Sequence, residues 1–263
     1  SFNEKYSSLT SEQKNVLSYI QSLIPSVPIK SSDRSIIGPQ ELDIYIPSMN
    51  LAIEYNGIYW HSEMGGLKNK NYHLNKTLKC KSNNTRLIHI FENEWIYKND
   101  IVKRKLKHIL NVDDSDSIYA RKCDIRSISA QDSNQFLEEY HIQGGDRSKI
   151  RLGAFYDDKL VAVMTFGSRR ASLGSKSTHN EYELYRFCTG STNVVGIGGK
   201  LFAHFTKSHL PSKITTYANR RWSDDSVFYN KIGMSLVGET PPNYWYFNTR
   251  CTTKLYHRYN FRK

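Results

Sequence analysis

Two acidic residues interrupt apolar strand patterns early in the chain, in Glu41-Leu42-Asp43-Ile44-Tyr45-Ile46 and in Leu51-Ala52-Ile53-Glu54-Tyr55. Side chains alternate along an extended strand, so Leu42, Ile44 and Ile46 take one face and Asp43 the other. Leu51, Ile53 and Tyr55 likewise take one face, and Glu54 points the opposite way. A carboxylate in such a run is costly unless it is paired or bound to a cation. Two of them in matching phase on neighbouring strands form a donor set that suits magnesium, which prefers oxygen ligands and keeps several of its waters. Such a site serves phosphodiester hydrolysis, where the metal neutralises charge and lowers the pKa of a water whose proton a nearby base then takes. Two surface acids on a half-exposed hairpin would give the same pattern.

His61 and His73 follow the second strand and supply groups that titrate near neutral pH, as a general base requires. A stacking role for His61 beside Trp60 and a purely structural role for His73 are the alternatives. His89 lies inside a strand pattern and is assigned to structure or to phosphate contact. The elements that must hold these residues are readable in outline. Thr10 and Gln13 fit a capping box, and Val16, Leu17, Ile20, Leu23 and Ile24 keep helical period until Pro25. Strands are predicted over 41–46 and 51–55, joined by the turn Pro47-Ser48-Met49-Asn50. A polar, glycine-containing loop runs through Lys70, followed by a helix over 72–82, a strand over 86–91 and a helix over 93–110.

At these residues the sequence resembles a known group. Asp43 followed by Glu54-Tyr55-Asn56 resembles the D…(D/E)-x-K core of the restriction-endonuclease-like superfamily. Ala52-Ile53-Glu54-Tyr55-Asn56-Gly57-Ile58-Tyr59-Trp60-His61 is similar to the strand and turn of very-short-patch repair (Vsr) endonucleases. Thr85-Arg86-Leu87-Ile88-His89-Ile90-Phe91-Glu92-Asn93-Glu94-Trp95 resembles that fold's closing strand. Within that group the chain looks most like a phage member of the EDxHD homing endonucleases, over about residues 5–110. The resemblance implies a DNA endonuclease that uses Mg2+, or Mn2+ in its place, on double-stranded DNA. It assigns Asp43 and Glu54 to the metal and Tyr55 to a main-chain carbonyl ligand. Asn56 falls at the lysine position and can orient water or phosphate. His61 falls beside the scissile phosphate, and His73 stands where the repair enzymes usually carry aspartate, so either histidine is a candidate base. Glu12 matches the first-helix glutamate, and its spacing to Val16 and Ile20 predicts that it turns inward.

The polar stretch Asn111–Ser117 is the expected linker, dividing a nuclease domain at 1–112 from a second domain at 113–263. In the second part Ile150–Tyr156 and Leu160–Phe166 flank Asp157-Asp158-Lys159 as a hairpin. A strand over 182–187 leads to Asn193-Val194-Val195-Gly196-Ile197-Gly198-Gly199-Lys200 and a helix from near Gly199. Such a turn can cradle phosphate on backbone N–H groups, and a tight strand–helix turn explains it equally well. With Phe228-Tyr229-Asn230-Lys231-Ile232-Gly233-Met234, it resembles the GNAT acyltransferases, and residues 118–263 are similar to phage Mom-type DNA-modification proteins. Asn193 stands where that pyrophosphate motif usually opens with Gln or Arg, which counts against acyl-CoA binding. Tyr229 falls near the family's general-acid tyrosine, with packing as the preferred role. Strand-like aromatic runs over 243–247 and 255–259 end the chain.

Three clusters mix charge for phosphates with rings for bases: Arg169-Arg170, Arg220-Arg221-Trp222 and the tail from Arg258 through Phe261 to Lys263. The whole chain carries 37 Lys and Arg against 25 Asp and Glu, a net +12. The excess falls on both parts, which suits an extended polyanion and also suits a merely solubilising surface. Four scattered cysteines without a C-x-x-C pair argue against a zinc site or a disulfide framework, and point to a reducing cytoplasm, that of a bacterial host for a phage protein. No apolar run reaches the roughly 18 residues of a membrane span. The expected class is α/β (α+β), with a restriction-endonuclease-like mixed sheet first and a GNAT-like domain second. The rival readings are an acyltransferase-like enzyme that modifies DNA through the second domain, and a DNA-binding protein without catalysis.

Overall fold

A computed structural model describes residues 9–59, 71–112, 117–169, 180–223, 227–248 and 250–261, leaving aside the side chains of Thr252, Arg258 and Tyr259. The chain divides into two compact units, Ser1–Asp113 together with Gly238–Lys263, and Asp114–Val237. Residues 238–263, attached to the second part in the sequence reading, thus group with the first. The mixed α/β class holds in both.

In the first unit, α1 (Ser11–Leu23) starts at the expected capping box. The Thr10 N–H donates to Gln13 Oε1 at 2.8 Å, and the Gln13 N–H donates to the Thr10 hydroxyl. Its Val16, Leu17 and Ile20 are buried. The sheet runs in the order β1 (Lys30–Asp33), β2 (Leu42–Ile46), β3 (Leu51–Asn56), β4 (Arg86–Phe91). The first two junctions are antiparallel and β3–β4 is parallel. β1 reads Lys-Ser-Ser-Asp, with no apolar period to announce it. A parallel junction needs a crossover, and α2 (Tyr72–Ser82) lies in it. The tight β2–β3 turn places Asn50 at φ 47, a left-handed conformation that asparagine tolerates. The single helix predicted over 93–110 is instead two, α3 (Glu92–Tyr97) and α4 (Asn99–Ile109). Between them Lys98 leaves helical geometry, and the Asn99 amide donates to the Trp95 carbonyl at 2.8 Å, a local bond that competes with the backbone ladder.

In the second unit a short parallel pair, β5 (Ser117–Tyr119) with β10 (Asn193–Val195), stands apart from a five-stranded sheet. That sheet follows the order β11 (Lys213–Thr216), β9 (Glu181–Thr189), β8 (Lys159–Ser168), β7 (Ile150–Tyr156), β6 (Asp124–Ser127). Asp157 and Asp158 both take positive φ in the predicted β7–β8 turn. The central strand β8 is buried on both faces. Ala162, Met164 and Phe166 pack with Leu201 and Phe205 of α6 (Ile197–His209), and Val163 packs with Phe136 and Leu137 of α5 (Ala130–Tyr140). The Phe166 and Phe205 rings stack with centroids 3.6 Å apart. A short α7 (Val227–Lys231) follows. The last two strands, β12 (Trp245–Asn248) and β13 (Cys251–His257), pair as an antiparallel hairpin in the first unit. Among the described residues no helix is long and apolar enough to cross a membrane.

Candidate active site

Strand alternation and register bring the predicted carboxylates together. Ile44 pairs with Ile53, so Asp43 and Glu54 occupy the next position outward on one face of the sheet. The Asp43 N–H donates to Glu54 Oε1 at 3.1 Å, and the Tyr55 N–H donates to Asp43 Oδ2 at 2.9 Å. The Gln13 side chain, from the first turn of α1, also hydrogen-bonds Asp43. These groups line one cavity of about 350 Å3 with Tyr72 and Lys76 of α2.

Lys76 is the member that sequence reasoning missed. Its Nζ donates to Glu54 Oε2 at 2.7 Å, and both side chains are only 4% exposed. Cys80, one helical turn further along the same face, packs with Ala52 and Leu87, so α2 covers the Ala52–Glu54–Asn56 face of β3. The spacing Lys76–Cys80 was available in the sequence, but nothing there marked the lysine as buried. Burial first, and the Asp43 charge second, push the Glu54 carboxyl up to about 7, with Lys76 holding it down. Burial also raises Asp43, while the Tyr55 N–H and the Gln13 side chain lower it.

Beyond Glu54 on the same face lies a polar chain. The Asn56 amide nitrogen is 3.2 Å from His89 Nδ1, and His89 Nε2 is 3.0 Å from the Thr77 hydroxyl. The Thr77 hydroxyl donates to the His73 carbonyl at 2.8 Å, which leaves it to accept from His89. In this arrangement His89 donates from Nε2 to Thr77 and accepts at Nδ1 from the Asn56 amide. Asn56 Oδ1 is buried without a hydrogen-bond partner among the described residues. The His73 ring meets His89 and Phe91 edge-on, with centroids at 5.1 and 5.5 Å. His89 thus has the structural role that the sequence allowed, and it orients Asn56.

Glu12 is a correction. It is exposed, not turned inward, and Gln13, the next residue, is the one whose side chain reaches Asp43. Burial raises the Tyr55 phenol, with the charges of Glu92 and Glu12 adding to the effect, and strand alternation puts that phenol on the face opposite Glu54. Tyr55 can therefore offer the cavity only its main chain. His61 lies outside the described residues. Among the described residues no group of three His, Cys, Asp or Glu side chains could hold a metal ion. The two carboxylates are nevertheless hard oxygen donors at one point, with one ammonium against two acids. Such a donor set suits a cation that keeps most of its waters.

In the second unit the glycine turn is explained by packing. Gly196 takes φ 81 before α6, and a Cβ on Gly198 would lie 2.4 Å from the Phe228 ring and 2.9 Å from Phe187. Lys200 donates to the carbonyls of Ala120 and Cys123, and the Asn193 amide donates to the Ser117 hydroxyl at 2.9 Å. The Tyr229 phenol is raised by burial and hydrogen-bonded by Ser223 and Thr216, as suits a packed aromatic. Arg169 donates to Glu181 at 2.6 Å and is about one-fifth exposed. Arg220 is exposed, and the Arg221 guanidinium lies 5.7 Å from the centre of the half-buried Trp222 ring. Arg170 and Lys263, and the side chain of Arg258, lie outside the described residues.

No family model and no curated protein matches the chain. Among solved structures, a ribosomal-protein-alanine N-acetyltransferase from Brucella melitensis biovar Abortus 2308 is similar at 18% identity and a TM-score of 0.33, over 45% of this chain and 96% of that one. The aminoglycoside acetyltransferase meta-AAC0020, from an uncultured soil metagenomic sample, is similar at 12% identity and a TM-score of 0.34, over 49% and 98%. The catalytic domain of the homing endonuclease I-Bth0305I is similar at 22% identity and a TM-score of 0.32, over 39% of this chain and 96% of that domain.

Proposed function

We propose that the first unit is a metal-dependent DNA endonuclease and that the second is a GNAT-like domain that helps to hold DNA. The observation that carries the reading is the Asp43–Glu54 pair on adjacent strands, buried against Lys76. Bound there, Mg2+ or Mn2+ would neutralise phosphate charge and lower the pKa of a water. Asp43 and Glu54 hold the cation, and the hydrogen bonds from Tyr55 and Gln13 fix the Asp43 carboxylate. Lys76 opposes the effect of burial on Glu54, whose carboxyl is still pushed up to about 7. Asn56, oriented by His89, presents a buried oxygen that can take a hydrogen bond from water. His61 is the proposed base. His73, its ring packed against His89 and Phe91, is the secondary candidate.

Cleavage of supercoiled plasmid, with and without magnesium, tests this. Wild type should nick only with the metal, and Asp43→Ala should lose cutting at every metal concentration. His61→Ala should lose about 10²–10⁴-fold and His73→Ala much less, the reverse order moving the base to His73. Metal-independent cutting, or full activity in Asp43→Ala, would sink the proposal. The acyl-transfer reading of the second unit keeps the glycine turn in its favour, although Lys200 and Asn193 are engaged with the protein's own groups. Acetyl-CoA at millimolar concentration is expected to give no thermal shift, and a clear shift would favour that reading.

A further inference from the structure

The β12–β13 hairpin has two unlike faces. The register pairs Trp245 with His257, Tyr246 with Tyr256 and Phe247 with Leu255, so over this stretch, before the register shifts at Asn248, odd-numbered positions share one face and even-numbered positions the other. The odd face carries Trp245, 50% exposed and edge-on to His257 at 5.0 Å, and beside it the Tyr97 hydroxyl of α3 is 3.0 Å from the Thr253 hydroxyl. The even face gathers rings. Tyr244 meets Tyr246 edge-on at 5.7 Å, Tyr246 meets Phe261 at 4.8 Å, and Phe261 meets Tyr256 at 6.3 Å. Tyr244, Tyr246 and Phe261 are 44%, 43% and 56% exposed, far more than rings that serve a core. Lys254, on the same face, sets its ammonium 5.6 Å from the Tyr256 ring centre.

Charge decides what such a face suits. Glu239 is the last acidic residue of the chain, and Arg250 and Lys254 are the basic residues after it whose side chains are described. An apolar protein partner would need rings without this cationic excess. A polynucleotide needs both, with ammonium and guanidinium groups for phosphates and flat rings for bases. Bases stacked inside a duplex cannot lie on these rings, whereas unpaired bases can.

We propose that the even face of this hairpin, with Tyr244, Tyr246, Tyr256, Phe261 and Lys254, is a platform for single-stranded nucleic acid belonging to the first unit. It rests on the nuclease reading only for its purpose, which is to hold a strand unpaired at the opened or cut site. The surface binds unpaired bases by stacking and has little sequence preference, since every base has a π-face.

Anisotropy of a fluorescein-labelled oligothymidylate, titrated with the full chain in EDTA, tests this without cleavage. A labelled hairpin duplex of equal length is the comparison. The expected result is that single-strand binding depends on these rings and duplex binding does not. Tyr246→Ala and Phe261→Ala should each weaken single-strand binding about tenfold, and Lys254→Gln should reduce its salt dependence. Tyr246→Leu and Phe261→Leu keep apolar bulk but lose the flat ring, so an equal loss in them, at unchanged thermal stability, separates stacking from unfolding. Unchanged single-strand affinity in the leucine variants, or an equal loss of duplex affinity in them, would overturn the proposal. Plasmid cutting with magnesium is measured separately, so failure of the nuclease reading and failure of the platform give different patterns.

Discussion

The Lys76 ammonium and the Glu54 carboxylate meet at 2.7 Å with both side chains almost wholly buried, one from the crossover helix and one from the central strand. Removing one partner of a buried pair costs far more than an exposed salt bridge would, because the survivor keeps its desolvation penalty. Lys76→Met should cost about 3 kcal/mol at pH 8. At pH 5.5, where Glu54 is already protonated, the cost should be much smaller. Glu54→Gln combined with Lys76→Met should recover most of the loss. Urea unfolding at both pH values reads this out, and a cost independent of pH would show that the pair is not ionised at pH 8.

The sign of the pH dependence follows from Glu54. Its carboxyl rises from 4.5 to about 7 on folding, so between those values the folded chain binds more protons than the unfolded one. Stability of the metal-free chain should therefore fall as pH rises from 5 to 7.5, by up to about 3 kcal/mol. Asp43, also raised, acts in the same direction. Magnesium should reverse the loss at pH 8 and do little at pH 5.5, because only the ionised carboxylates hold it. Thermal unfolding in EDTA and in magnesium across this range is the measurement. A flat profile would remove the coupling between the carboxylates and the fold.

Gly198→Ala tests the glycine turn. The added methyl would meet the Phe228 ring at 2.4 Å, and the stacked Phe187 leaves that ring little room to yield. A loss of about 1–3 kcal/mol is expected, as for overpacked cores. Gly199→Ala, whose Cβ would meet no atom within 4 Å, should be nearly neutral. Equal effects at the two positions would point away from packing.

All four cysteines are free thiols, and they differ in environment. Cys80 is wholly buried and pushed up to about 11, chiefly by burial, while Cys251 is exposed. A thiol reagent at pH 8 should modify Cys251 quickly and leave Cys80 and Cys123 unmodified until the chain unfolds. Fast labelling of Cys80 would mean that α2 opens readily over the carboxylates.

The carboxylate pair was legible because period and register act together. Once Asp43 and Glu54 break apolar strands in matching phase, a two-stranded turn leaves few other places for them. The capping box at Thr10 and Gln13 was equally plain, but which of Glu12 and Gln13 faces the sheet depends on how α1 docks, and local spacing does not encode that. Lys76 escaped notice because a lysine on a polar helix reads as solvated surface, and only the crossover packing buries it. β1 was invisible for the related reason that its pairing with β2, and not its own residues, makes it a strand. The placement of 238–263 is a long-range contact of the same kind.

That placement has a consequence for synthesis. The second unit interrupts the first along the sequence, since residues 114–237 fall between its two parts. The hairpin therefore leaves the ribosome only after the whole second unit, a delay on the order of ten seconds at elongation rates of about 5–20 residues per second. During that interval the nascent chain already holds α1 to α4 and the carboxylate pair, while the Thr253 partner of Tyr97 does not yet exist. A product stalled anywhere inside the second unit would carry the acidic cavity and lack the aromatic hairpin.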